Sequence, residues 1–143
     1  MNRKSVFVCT LIVVSFFAGL AVGRVTPARA EGGTRVFELR TYTANEGKLE
    51  ALQARFRNHT TRLFEKHGMS NIGYWVPKDA PLSQNTLIYL LSYPNREAAQ
   101  KSWNAFRNDP DWKKVQTESE VNGKLVSKVD SVYLDPTDYS PMR

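Results

Sequence analysis

The chain has 143 residues, with 20 basic and 14 acidic side chains, two histidines, one cysteine and a net charge of +6. Four of the bases (Arg3, Lys4, Arg24, Arg29) lie in the first thirty residues, which carry no acid, so the remaining 113 residues are nearly balanced at 16 to 14. That balance leaves no basic run suited to nucleic acid, and 113 residues support one core but exclude a second domain.

The opening "MNRKSVFVCTLIVVSFFAGLAVGRVTPARA" has a basic start, an apolar run from Val6 to about Val22, and a polar stretch ending in Ala28-Arg29-Ala30. Small residues at the third and first positions before the break predict a signal peptide over 1–30, cut after Ala30. The apolar run also approaches the length of a spanning helix, so an uncleaved anchor is the competing reading. Cleavage predicts an exported protein, periplasmic or secreted, with no stable membrane insertion. Cys9 leaves with the leader, so the mature chain has neither thiol nor disulfide chemistry.

"RVFELRTY", 35–42, alternates Phe37 and Leu39 with Glu38 and Arg40, the period of a strand. Thr43 and Glu46 have capping-box spacing and predict a helix from there to about His67, stopped by Gly68. Leu49, Leu52, Phe56 and Leu63 form its apolar stripe, and the stripe position after Phe56 falls on His59 or Thr60. "NIGYWVP", 71–77, predicts a second strand and "TLIYLLSY", 86–93, a third, apolar enough to be central with both faces covered. Asn95 caps a helix over 96–108 that carries Ala99, Trp103 and Phe106. Asp109-Pro110 opens a shorter one with Trp112 and Val115, fading by Glu120. After an Asn122-Gly123 turn, "KVDSVYL", 128–134, is the last strand. The domain spans 31–143, with its core at 35–135 and a tail at 136–143.

The order β-α-β-β-α-β predicts an α+β, ferredoxin-like fold, a four-stranded antiparallel sheet with the helices on one face. Nothing in the chain is left to cover the other face. Glu38, Arg40 and Tyr42 are expected there, in the interior of a dimer, with the charges pairing across it and fixing its register.

"VFELRTYTANEGKLEAL", "FRNHTTRLFEKHGMSNIGYW", "NTLIYLLSYPNREAAQKSWNAFRNDPDW" and the closing "PTDYSP" resemble the NIPSNAP family over about 35–141. The resemblance implies a dimeric α/β barrel, two ferredoxin-like sheets facing each other with helices outside. It implies no particular activity. The same barrel superfamily holds haem-degrading enzymes, cofactor-free monooxygenases, isomerases and dehydratases, a link at the level of fold alone.

In that superfamily the pocket lies between sheet and helices, where the apolar stripe of the first helix faces. His59 on that stripe is a candidate general base, ligand anchor or haem ligand; the bland reading is a core histidine satisfied by a carbonyl or by Tyr89. Tyr74, Tyr89 and Trp103 are expected to line the cavity. His67, beside the stop glycine, is expected to be structural. The residues present supply no metal-ligand set. The function expected is that of a homodimer binding a small apolar or aromatic molecule between helix and sheet, without cofactor. Two alternatives stay open: an enzyme using His59 as base or haem ligand, and an interaction protein with a filled core.

Overall fold

The structure is a computed structural model, and it describes residues 35–143. The predicted signal peptide and the cut after Ala30 lie outside the described residues.

Among the described residues four strands, four α-helices and a π-helical turn follow one another: β1 (Val36–Ala44), α1 (Leu49–Arg55), the π-helical turn (Phe56–Thr60), α2 (Thr61–Lys66), β2 (Ser70–Trp75), β3 (Thr86–Tyr93), α3 (Arg96–Asn108), α4 (Pro110–Ser119) and β4 (Val126–Leu134). A short 3-10 turn, Leu82–Gln84, interrupts the loop before β3. The strands form one sheet in the order β2-β3-β1-β4, and each neighbouring pair is antiparallel. This is the predicted ferredoxin-like α+β arrangement.

The central strands are β3 and β1, and seven of the eight β3 residues are buried, as their near-continuous apolarity predicts. Local chemistry also sets the ends of the later helices. The Asn95 side chain accepts from the Ala98 N–H at 2.8 Å and starts α3. The Asp109 carboxylate accepts from the Asp111 N–H at 2.8 Å, and Pro110 follows in the first turn of α4. Gly68 has φ +76°, the left-handed value that ends α2. Gly68→Ala has room for its Cβ, whose nearest neighbour would be Ser102 Oγ at 3.7 Å. The cost is therefore conformational, about 1–2 kcal/mol, readable in a denaturant melt.

The first helix begins later than the capping-box spacing predicts. Thr43 pairs with Thr86 and Lys128, so β1 runs on to Ala44 and its backbone is committed to the sheet. A turn through Gly47, φ +68°, then leads into α1, whose first residue is Leu49.

The core lies between the sheet and α1, α2 and α3. Leu52, Phe56, Leu63, Phe64, Ala99, Trp103 and Phe106 meet Leu87, Tyr89, Leu91 and Tyr93 there. Residues directly opposite in register share a face. Glu38 lies opposite Leu91 and Tyr133, Arg40 opposite Tyr89 and Ser131, and Tyr42 opposite Leu87 and Val129. Glu38, Arg40 and Tyr42 therefore lie under the helices, not on the uncovered face where they were expected. The alternation was read correctly and its direction was inverted. Phe37, Leu39, Ile88, Leu90, Val132, Leu134 and Trp75 take the other face, with Trp75, Val132 and Leu134 exposed. The inversion is affordable because the polar set finds its partners inside the fold.

Candidate functional site

Glu38 is 1% exposed and sits at the centre of those partners. Its Oε1 accepts from Ser131 Oγ at 2.6 Å and from Arg40 Nη1 at 2.8 Å. Its Oε2 accepts from Trp103 Nε1 at 2.6 Å and from Tyr93 OH at 2.7 Å. Four donors fill the four lone-pair positions of a carboxylate. Burial alone would raise the Glu38 pKa. The hydrogen bonds from Ser131, Tyr93 and Trp103, with the Arg40 charge, outweigh it and hold the group below its ordinary value. Glu38 is thus an anion with no free acceptor, a poor proton acceptor but a firm anchor. Burial first, and then the hydrogen bond to Glu38, push the Tyr93 hydroxyl pKa well up.

Glu38 fixes Arg40. The guanidinium lies 4.2 Å from the centre of the Trp103 ring and 5.6 Å from that of Tyr42. Its Nε is buried and makes no hydrogen bond to the described residues. Beside it opens a cleft of about 360 Å³ between α3 and β4, lined by Glu38, Arg40, Gln100, Trp103, Asn104, Arg107, Ser131 and Tyr133. Arg107 donates to Asn104 Oδ1 at 2.6 Å, and the Arg96 guanidinium lies 3.1 Å from the centre of the Tyr133 ring.

The other residues singled out in the sequence fall elsewhere. The π-helical turn adds a residue to the helix, and the Thr61 N–H bonds back to the Phe56 carbonyl. Thr60 then occupies the inward position, 1% exposed, with its hydroxyl donating to the Arg55 carbonyl at 3.3 Å. His59 is turned out to solvent. It borders a groove of about 640 Å³ whose other walls include Arg62, Lys66, Asp111, Lys114 and Glu118. The apolar stripe is therefore not interrupted by an imidazole. His59 is not positioned to be the base of a sheet-to-helix pocket. Walls so charged do not fit an apolar macrocycle either, and no haem chemistry follows from them. His59→Ala is expected to change stability by less than about 0.5 kcal/mol and to leave ligand binding unaltered, as thermal melts and titrations would show.

Tyr74, Tyr89 and Trp103 do come together, as packing more than as a cavity wall. Tyr74 stacks on Tyr89 with centroids 5.5 Å apart, and Tyr89 packs through Phe64 to Trp103 at 6.0 and 5.4 Å. Tyr89 is wholly buried; burial drives its hydroxyl pKa well up, and that oxygen has no hydrogen bond of good geometry to the described residues. Of the three, only Trp103 lines the cleft beside Arg40. His67 has a structural place: its Nε2 lies 2.6 Å from Asp109 Oδ2, the carboxylate that caps α4. Hydrogen bonds from Lys66 and His67 hold Asp109 well below the usual carboxylate range.

Tyr93, Gln100, Asn104, Arg107, Ser131 and Tyr133 were not read as site residues from the sequence. A signal for some of them exists. Gln100, Asn104 and Arg107 flank Trp103 at helical spacing, and Ser131 and Tyr133 share the strand parity that faces Glu38 once the register is known.

The fold and the cleft together define an α+β domain of ferredoxin-like type with a buried charged network on the helix-covered face of its sheet. The NIPSNAP family model matches residues 37–141, and the chain belongs to the NIPSNAP family. No curated protein is similar to it in sequence. A NIPSNAP family protein of unknown function from Agrobacterium tumefaciens is similar in structure, with TM-score 0.67 and 16% identity over 77% of this chain and 95% of that one. A second NIPSNAP family protein from the same organism has TM-score 0.66 and 24% identity over 76% and 99%. SnoaB, a cofactor-independent oxygenase from Streptomyces nogalater, has TM-score 0.51 and 11% identity over 76% and 98%. At these identities the likeness is one of fold.

Proposed function

We propose that this NIPSNAP-domain protein is an exported homodimer that binds a small molecule in the cleft between α3 and β4. One observation carries the reading: a buried carboxylate, saturated by four donors, holds a guanidinium at the wall of a cleft large enough for a small ligand. A buried ionic network is often no more stabilising than apolar packing of the same volume, and a charged group with a shifted pKa beside a cleft is a candidate for function. Because Glu38 has no acceptor left over, the arrangement favours holding a ligand over abstracting its proton. The lining is largely polar, which turns the expected ligand from an apolar molecule to a polar one. The apolar residues exposed on the helix-free face, Trp75, Val132 and Leu134, support dimerisation, and the leader pattern supports export.

Native mass spectrometry of the protein purified from its own host tests this. The expected result is a dimer carrying extra mass that is released on denaturation and lost in a Trp103→Ala variant. A dimer with no added mass, in samples desalted without heating, would remove the ligand-binding reading. A monomer would remove the dimer.

A further inference from the structure

Resting on the reading of this cleft as a ligand site, we infer that its ligand is a small organic carboxylate, clamped by Arg40 and Arg107. The charge count is the first reason. The cleft walls carry two guanidiniums against one carboxylate, and that carboxylate is occupied by four protein donors. Arg96, which does not line the cleft, lies on the ring of the lining residue Tyr133 and adds a further positive group nearby. The cleft therefore has unspent positive charge and no free carboxylate for a cation.

Preorganisation is the second reason. Arg40 is held by Glu38 along one edge and by the Trp103 ring beneath its plane, so little side-chain entropy remains to be lost on binding. A planar guanidinium at a cleft wall matches the paired oxygens of a carboxylate. Gln100 and Asn104, one helical turn apart on α3, supply amide groups beside Arg107, and Tyr133 supplies an aromatic wall for the rest of the molecule. The third reason is the depth of the site. Arg40 is 15% exposed, so its attraction for an anion is screened less than that of a surface cation.

The test uses three probes on the isotope-labelled protein, read by NMR at the Trp103 indole N–H and the neighbouring amides: sodium benzoate, benzamide and inorganic phosphate. Benzoate is expected to shift cleft signals, more weakly as salt is raised, while its neutral isostere benzamide leaves them in place. Arg40→Gln is expected to weaken benzoate binding roughly 10- to 100-fold, the range for a hydrogen-bonded charge. That variant disturbs the partner of a buried carboxylate, so Arg107→Gln, on the exposed surface of α3, is the independent arm; a loss of roughly two- to five-fold is expected there. Benzamide binding as well as benzoate, or phosphate binding better, would overturn the carboxylate assignment and leave the cleft as a ligand site. An unchanged benzoate affinity in Arg107→Gln would overturn the two-arginine clamp. Absence of any shift with all three probes would overturn the assignment as well. The retained mass in native spectra would then decide the ligand-site reading separately.

Discussion

Glu38→Ala is expected to cost about 3–5 kcal/mol, the range for breaking a buried ion pair by removing one partner. A domain of this size loses roughly 4 °C of melting temperature for each kcal/mol, so the midpoint should fall by about 12–20 °C. The variant leaves Arg40 buried beside no anion, and it orphans the Ser131, Tyr93 and Trp103 donors together. Glu38→Gln keeps the volume but must turn an NH2 group toward two donors, so about 2 kcal/mol or more is expected. Circular dichroism melts measure both. A loss below 1 kcal/mol in Glu38→Ala would show that the network is not the structural centre of the helix-covered face.

The same pair of proteins has a pH signature. The folded Glu38 pKa lies below its ordinary value of 4.5, so the unfolded chain takes up the proton first. The stabilisation is therefore fully present above about pH 4.5 and is lost as pH falls through the folded value. The wild-type melting temperature should drop steeply on that acid limb, and Glu38→Gln should drop less. Asp109 is shifted in the same direction, so the variant keeps some slope. Parallel acid limbs would show that Glu38 does not titrate differently on folding.

Val132→Asp is the second large effect, and it addresses the proposed dimer. Val132 is 54% exposed on the helix-free face, opposite Leu39 and two residues from Leu134. A two-fold axis would bury the new charge twice, each time among apolar neighbours and near the existing Asp130. Weakening of the dimer by about 1,000-fold or more is expected, since each unpaired buried charge costs several kcal/mol. The isolated domain should fold normally, because β4 is an edge strand whose residues are mostly exposed. Sedimentation equilibrium of both proteins measures the change. Equal dimer affinity would place the contact on another surface.

Much of the fold was legible without coordinates. β3 and α3 fall where composition and capping predict them, because their signals are local: eight nearly continuous apolar residues, and an asparagine one position before a helix. The start of α1 was misread because Thr43 satisfies a local capping pattern while non-local pairing draws it into the sheet. The candidate site was read less well. Trp103, Glu38 and Arg40 were all singled out, yet they were assigned to two different faces. His59 and Thr60 compete for one stripe position, and the single extra residue of the π-helical turn decides for Thr60.

The amino-acid sequence by itself determined the order of elements, the strand parity that groups Glu38 with Arg40 and Tyr42, and the family resemblance, because each depends on residues close together in the chain. Only the tertiary structure decided which face of the sheet meets the helices. Period-two alternation is symmetric between the two faces, and an ionic set can be buried when its partners arrive from Tyr93, Trp103 and Ser131, between 55 and 93 residues away.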